Sequence, residues 1–239
     1  MYYLVNEWSL DDERLRKDLE QIGLSIQSLQ LENILDSIFF NQKVDSPLHM
    51  TSLPLPPFWE VYANGDIVSD GMKRGKIDCF QDRPQRVKKV DWYDPDGHCS
   101  VSDHYDRSGS LFLKEVWSAD ERHLSIYTND RMGKLYLFHQ HDRAFYQAID
   151  GLEQGFSSIE EAKKVLLQEA LLQAETVFLS DPELLKALPK LEKEQIIFYG
   201  RSTLSEAELA PLVDKGVKVF VREPNLDMAP HSLLFFPTY

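Results

Sequence analysis

Three pairs of residues have the types and spacing of groups that do chemistry: His139 and His141, Asp103 and His104, and Glu161 and Glu169. Two imidazoles at i and i+2 project to one face of a strand and could fill two positions of a metal site. No third ligand follows at a matching local spacing, so the pair reads as solvated histidines near a sheet edge, and no metal is expected. Asp103 and His104 would form an acid–base pair only if they shared a side. As neighbours on a strand they point to opposite faces, and both are read as structural. Glu161 and Glu169 fall in a strongly helical stretch, as two acids on a solvent face. No Ser-His-Asp arrangement, phosphate-binding loop or Gly-x-Ser-x-Gly motif occurs, so no catalytic residue is assigned. Cys79 and Cys99 have neither a paired motif nor metal spacing. They are expected to be free buried thiols in a reducing cytosol.

Aromatic residues at regular positions remain. Turn sequences begin at Asp94 (Asp-Pro-Asp-Gly), Asp106 (Asp-Arg-Ser-Gly), Ser118 (Ser-Ala-Asp-Glu) and Asn129 (Asn-Asp-Arg-Met-Gly), about twelve residues apart. Tyr93, Tyr105, Trp117 and Tyr127 precede them. This period, with β-formers between polar turns, predicts successive antiparallel hairpins. Each strand reverses the last, so Tyr93 and Trp117 should lie at one end of the sheet and Tyr105 and Tyr127 at the other. One continuous stacking stripe for sugars or bases is therefore not implied. Cross-strand packing is the default role for such rings, with partner contact as the alternative. The candidate partner-binding residues are Trp59, Trp92, Tyr93, His104, Tyr105 and Trp117.

The elements around these residues divide the chain in three. In 1–53, Tyr2 to Val5 reads as a buried strand, Ser9 as a helix cap and Leu24 to Leu31 as a second strand, a βαβ beginning. Its first turn lacks the glycine fingerprint of a dinucleotide site, so no cofactor is expected. Pro47, Pro54, Pro56 and Pro57 mark an extended connector. In 54–142, Phe58 to Tyr62 opens a sheet, Asn64-Gly65 makes a hairpin turn, and a meander of seven or eight strands with one wet face follows. In 143–239 the pattern changes. A long helix starts at Ser157, and short apolar strands (176–179, 196–199, 217–221, 233–236) alternate with helices at 183–188 and 205–214. That alternation predicts a parallel sheet with helices on its faces. The fold class is α/β: a Rossmann-like lobe split by a large inserted antiparallel sheet. The final strand runs straight into Tyr239 without a covering helix, which reads as a chain that belongs to a longer family.

Composition narrows the partners. The chain has 239 residues, 43% hydrophobic and 27% charged, with a formal net charge of -13. Such a field repels phosphate and excludes nucleic acid or an anionic membrane as a direct partner. The one compact basic run, Arg83, Arg86, Lys88 and Lys89, reads as a solvated strand face. No apolar run approaches the ~18 residues of a membrane span, and no basic leader precedes one. A soluble cytoplasmic protein is expected.

Several motifs occur in a fixed order: Pro-x-Pro-Pro-Phe-Trp-Glu-Val (54–61), Gly-Asp-Ile-Val-Ser-Asp (65–70), Lys-Arg-Gly-Lys-Ile (73–77), Arg-Val-Lys-Lys-Val-Asp-Trp-Tyr-Asp (86–94) and Ser-Asp-His-Tyr-Asp-Arg-Ser-Gly (102–109). Together they resemble the extended β-sheet region of the glycosyltransferase-stabilising B subunit of the accessory Sec system. In that family a catalytic A subunit and a B subunit O-glycosylate serine-rich repeat adhesins in the cytoplasm. The catalytic subunit carries a related sheet and is a rival for this stretch. The start, Met1-Tyr2-Tyr3-Leu4, also resembles another accessory Sec protein of similar scaffold. The resemblance covers Leu53 to about His139. It implies a glycosyltransferase B-type fold, of which this chain would supply the first lobe and the inserted sheet. It further implies a non-catalytic co-activator, acting as a chaperone of the catalytic glycosyltransferase subunit in a hetero-oligomer and binding a Ser/Thr-rich acceptor polypeptide. Membrane contact would come only peripherally, through the complex. Glu161-x7-Glu169 matches the spacing of a motif of retaining glycosyltransferases, but lacks the glycine-bearing loop that grips a nucleotide sugar.

Two rival readings remain. One is an active glycosyltransferase whose donor lobe lies outside this chain. The other is a β-repeat interaction module, since Tyr93-Asp94-x-x-Gly97 and Tyr105-Asp106-x-x-Gly109 also resemble the Tyr-Asp repeats of secreted shell proteins.

Overall fold

The structure is a computed structural model. It describes residues 1–5, parts of 14–31, 33–40, 47–118, 120–172, 176–179 and the strands at 196–201, 218–222 and 234–235. Two compact units emerge, one from 1–38 with 164–239, the other from 39–163.

The first unit is built on a six-stranded sheet. Its strands are β1 (Tyr2–Val5), β2 (Gln27–Gln30), β13 (Val177–Leu179), β14 (Ile196–Arg201), β15 (Lys218–Arg222) and β16 (Leu234–Phe235), in the order β16-β15-β14-β13-β1-β2. All neighbours are parallel except β15 and β16. Tyr3, Leu4 and Val5 are fully buried, as a central strand packed on both faces requires. Tyr3 and Val5 share a core with Leu19 and Phe178. Helix α1 (Ile34–Phe39) follows β2, with the backbone N–H of Gln30 donating to Ser37 Oγ at 3.1 Å. The cap expected at Ser9 and the helices expected at 183–188 and 205–214 lie outside the described residues.

The second unit is a ten-stranded antiparallel meander in which every strand pairs with its sequence neighbour. It runs through β3 (Glu60–Val61), β4 (Asp66–Ser69), β5 (Met72–Phe80), β6 (Arg83–Tyr93), β7 (Cys99–Tyr105), β8 (Leu111–Ser118), β9 (Glu121–Asn129), β10 (Gly133–Phe138), β11 (Arg143–Ala148) and β12 (Glu153–Phe156). Ten strands exceed the seven or eight expected, because the β11–β12 hairpin also joins the ladder. The turns close as their sequences predict. Asp94 Oδ1 accepts the N–H groups of Asp96 and His98, and Asp106 Oδ1 those of Ser108 and Ser110. Gly133 opens β10 with φ of 114°, and a Cβ there would lie 2.1 Å from the Gln147 carbonyl oxygen.

Helix α2 (Ile159–Leu172) begins at Ser158, whose Oγ accepts the N–H of Glu161 at 3.1 Å. Glu161 reaches back to accept from the Ser157 N–H and hydroxyl at 2.8 and 2.6 Å. These bonds hold its carboxyl below the usual range, so Glu161 ties the residue before the cap to the first turn of the helix.

Candidate docking surface

Residues directly opposite in an antiparallel ladder share a face, so the register defines both sides of the meander. On the first face one row reads Val61, Ile67, Gly75, Trp92, Val101, Val116, Leu124, Phe138, Arg143. The next reads Ile77, Val90, Asp103, Lys114, Ile126, Tyr136, Phe145, Gly155. On the second face the corresponding rows are Asp66, Lys76, Asp91, Ser102, Glu115, Ser125, Leu137, Ala144, Phe156 and Asp78, Lys89, His104, Leu113, Tyr127, Leu135, Tyr146, Gln154.

The buried side changes along the sheet. Over β3 to β7 the core is on the first face, where Ile67, Ile77, Val87 and Val90 pack with Leu53 and the proline-rich segment that carries Leu48, Met50, Leu55 and Trp59. The second face is charged there. Over β8 to β12 the second face is buried, at Leu113, Tyr127, Leu135, Leu137, Ala144, Tyr146 and Phe156. Phe39 meets Tyr127 and Phe40 meets Phe112 at ring-centroid separations of 5.3 and 5.2 Å. The single wet face expected from the sequence is thereby corrected. Ser102, on the side expected to be wet, is buried and donates to Asp91 Oδ1 at 2.5 Å.

What this leaves is an apolar area on the first face of β8 to β11. Val116, Leu124, Ile126, Tyr136 and Phe145 are partly exposed there, and Phe138 is 40% exposed. Lys134 and Arg143 stand beside it, and neither has an ion-pair partner among the described residues. The run Leu135-Tyr136-Leu137-Phe138, apolar on both parities, is the sequence signal that marks β10 as apolar on two sides.

The six positions singled out from sequence are all partly buried and engaged within the chain. Trp59 and Trp92 face each other at 6.4 Å, and Tyr105 packs against the same core. Burial, then the charge of Asp103, pushes the Tyr105 hydroxyl up to about 12. Lys73 lies over the Tyr93 ring and Arg122 over Trp117. His104 Nε2 pairs with Glu115 at 3.0 Å. The topology places Tyr93 and Trp117 at one end and Tyr105 and Tyr127 at the other.

The pairs that suggested chemistry are bound into this framework. Asp103 and His104 do diverge. Asp103, 8% exposed, accepts from Trp92 Nε1 at 2.8 Å on the first face, with Lys114 Nζ 3.1 Å away. His104 takes the second face with Glu115, which also receives Arg122 Nη1 at 2.5 Å. Burial alone would raise the Glu115 carboxyl, but the His104 hydrogen bond and the Arg122 charge outweigh it and hold it low. His139 lies in a short 3-10 turn with His141 and meets Ser125 Oγ at 2.8 Å. Burial and then Arg122 lower its pKa. Cys79 packs in the first-face core, whereas Cys99 lies 3.9 Å from Asp91 Oδ1, a second-face residue, and both thiols are free. Of the basic run, Lys89 pairs with Asp91 at 2.8 Å.

Comparison with known proteins identifies the sheet. Residues 59–150 match a family model described as the GtfB middle domain. Three curated relatives are all named UDP-N-acetylglucosamine--peptide N-acetylglucosaminyltransferase stabilizing protein GtfB. The one from Streptococcus gordonii is 37% identical over 82 residues, 33% of this chain and 18% of that protein. The one from Streptococcus parasanguinis is 31% identical over 144 residues, 54% of this chain and 32% of that protein. The one from Streptococcus pneumoniae is 25% identical over 158 residues, 59% of this chain and 35% of that protein. The matches thus span a fifth to a third of these relatives' length. Among solved structures, a chain of the GtfA/B complex bound to UDP and GlcNAc superposes with a TM-score of 0.62 at 19% identity, covering 86% of this chain and 50% of that one. A chain of the accessory secretory protein 1, 2 and 3 structure from Streptococcus pneumoniae gives 0.60 at 10% identity, covering 92% and 57%. These two show a shared fold. By sequence, residues 59–150 are similar to the GtfB middle domain, and the similarity to curated GtfB proteins is centred on this sheet.

Proposed function

We propose that this chain is the stabilising, non-catalytic partner of a UDP-GlcNAc-dependent peptide O-glycosyltransferase. The observation that carries this reading is the ten-stranded sheet, matched as a GtfB middle domain and left with a partly exposed apolar area on one face of β8 to β11. That area, with Lys134 and Arg143 beside it, docks the catalytic GtfA-type subunit. Trp59, Trp92, Tyr93, His104, Tyr105 and Trp117 contribute through the parts of their rings that remain exposed. The parallel-stranded unit is a Rossmann-like lobe of a glycosyltransferase B-type fold, and helps hold the Ser/Thr-rich acceptor. The mechanism is positioning. An acceptor tethered beside the partner's active site is presented at raised effective concentration, without new chemistry from this chain.

The test is co-expression with the GtfA-type transferase of the same source organism. The two should co-purify, the transferase should remain soluble, and GlcNAc transfer from UDP-GlcNAc to a Ser/Thr-rich polypeptide should rise. Failure to co-purify together with unchanged transfer refutes the reading. Transfer by this chain alone would instead favour an active enzyme.

A further inference from the structure

Phe58 is 94% exposed and sits at φ of 70°. The Trp59 N–H donates to the Pro56 carbonyl at 3.2 Å. Phe58 therefore occupies the third position of a tight Pro-Pro-Phe-Trp turn, where a positive φ favours Gly or Asn. A bulky L-residue is disfavoured in that region. Among the described residues, the other non-glycine positions with positive φ are Asp70, Gln85, Asp120 and Asp142, all polar. Phe58 thus combines a conformation its side chain opposes with almost no packing in return. Such a conflict between local sequence and structure is of the kind that clusters at functional sites.

The surroundings say what kind of partner it meets. Phe58 leads into β3, the edge strand of the sheet, which among the described residues pairs only with β4. Trp59 and Val61 turn inward to the first-face core. The alternate residues Glu60 and Tyr62 are exposed, Tyr62 by 49%. The same edge therefore offers an aromatic knob, a carboxylate with no ion-pair partner among the described residues, and a second aromatic. A second copy of the chain is a poor occupant. Antiparallel pairing of two β3 edges centred on Glu60 would set like charges opposite each other, and a net charge of -13 adds general repulsion.

We propose that Phe58 is an anchor residue, inserting from the β3 edge into an apolar pocket on the transferase subunit, with Glu60 meeting a basic rim of that pocket. A single protruding aromatic in a desolvated pocket commonly carries much of an interface. The inference rests on the stabilising-partner reading and adds a second contact, at the β3 edge, to the docking area on β8 to β11.

The test compares the full-length wild type with Phe58→Asn, Phe58→Gly and Glu60→Lys. Affinity for the GtfA-type transferase is measured by biolayer interferometry, and unfolding by urea titration. Phe58→Asn should unfold at the same or a higher urea concentration, because Asn accepts the left-handed turn and no intrachain packing is lost. Both Phe58 variants should bind the transferase at least tenfold more weakly. Glu60→Lys should also weaken binding, more so at low salt. A lower unfolding midpoint for Phe58→Asn would show that Phe58 serves the fold, and would overturn the proposal. Unchanged binding by the Phe58 variants overturns the anchor while leaving the stabilising role standing. A wild type that does not bind the transferase overturns both. Self-association of the wild type that Phe58→Asn abolishes would make the occupant a second copy, and would equally overturn it.

Discussion

Replacing Asp103 with alanine should destabilise the sheet by about 2–4 kcal/mol. Asp103 lies in the middle of the first face, its side chain 11% exposed. It accepts a 2.8 Å hydrogen bond from the Trp92 indole and a 3.1 Å contact from the Lys114 ammonium. A hydrogen bond to a charged acceptor contributes about 1.5–3 kcal/mol. The Lys114 side chain is 39% exposed, so that ion pair is screened and adds roughly 0.2–1 kcal/mol. Asparagine keeps an acceptor for the indole and gives up the charge, and should cost about 1 kcal/mol. The assay is urea unfolding of the full chain followed by far-UV circular dichroism. The alanine variant should lower the midpoint by roughly 1–2 M. A cycle with Trp92→Phe isolates the indole bond, and its coupling should be about 1 kcal/mol or more. Equal costs for alanine and asparagine, or a coupling near zero, would refute the idea that this contact ties β6 to β7.

Three further outcomes test other parts of the sheet. Gly133→Ala should disrupt the β10–β11 hairpin, because the new Cβ would meet the Gln147 and Ala148 backbone at 2.1 and 2.9 Å; loss of amide-exchange protection confined to β10–β12 would report it. Ile67→Ala, at a fully buried position of the first-face core, should cost about 2–5 kcal/mol in the same urea assay. Glu115 ionises below its ordinary value of 4.5 in the folded chain, so its contribution is present above that value and is lost as pH falls through the lower folded one. Glu115→Gln should therefore flatten the acid limb of the stability profile, and an unchanged limb would show that Glu115 has no part in it.

The turns of the meander were legible because their chemistry is local. Asp94 and Asp106 fold their own loops, and Asn64-Gly65 makes the first hairpin, so β4 to β9 can be read almost directly. The last hairpin was harder. Residues 143–148 carry no strong alternation, and they pair only because β10 supplies an edge. The divergence of Asp103 from His104 followed from strand geometry alone. The change of buried side between β7 and β8 did not, since it depends on what covers each face: the proline-rich segment on one and Phe39 and Phe40 on the other. Charge on Lys76, Lys89 and Asp91 against Leu135, Leu137 and Ala144 in the same rows records the switch, but only once the register is known. Phe58 was hidden for a different reason. A residue's burial and its φ are properties of the folded turn, and the letters Pro-Pro-Phe-Trp suggest an ordinary packed aromatic.

The two sheets also differ in the span of chain each must gather. In the meander every strand waits only for the next one, so pairing can follow synthesis hairpin by hairpin, with short loops to close at each step. The parallel sheet joins Tyr2 to Val177 and Tyr3 to Phe178. Strand β1 therefore leaves the ribosome well before β13 and finds that neighbour only after the meander has been made. For that interval Tyr3, Leu4 and Val5 lack the β13 side of their final setting, an unpaired apolar edge of the kind that invites aggregation. A folding helper acting on this chain would have most to protect at β1, and pulse-labelled exchange on stalled nascent chains should find β1 among the last strands to gain protection.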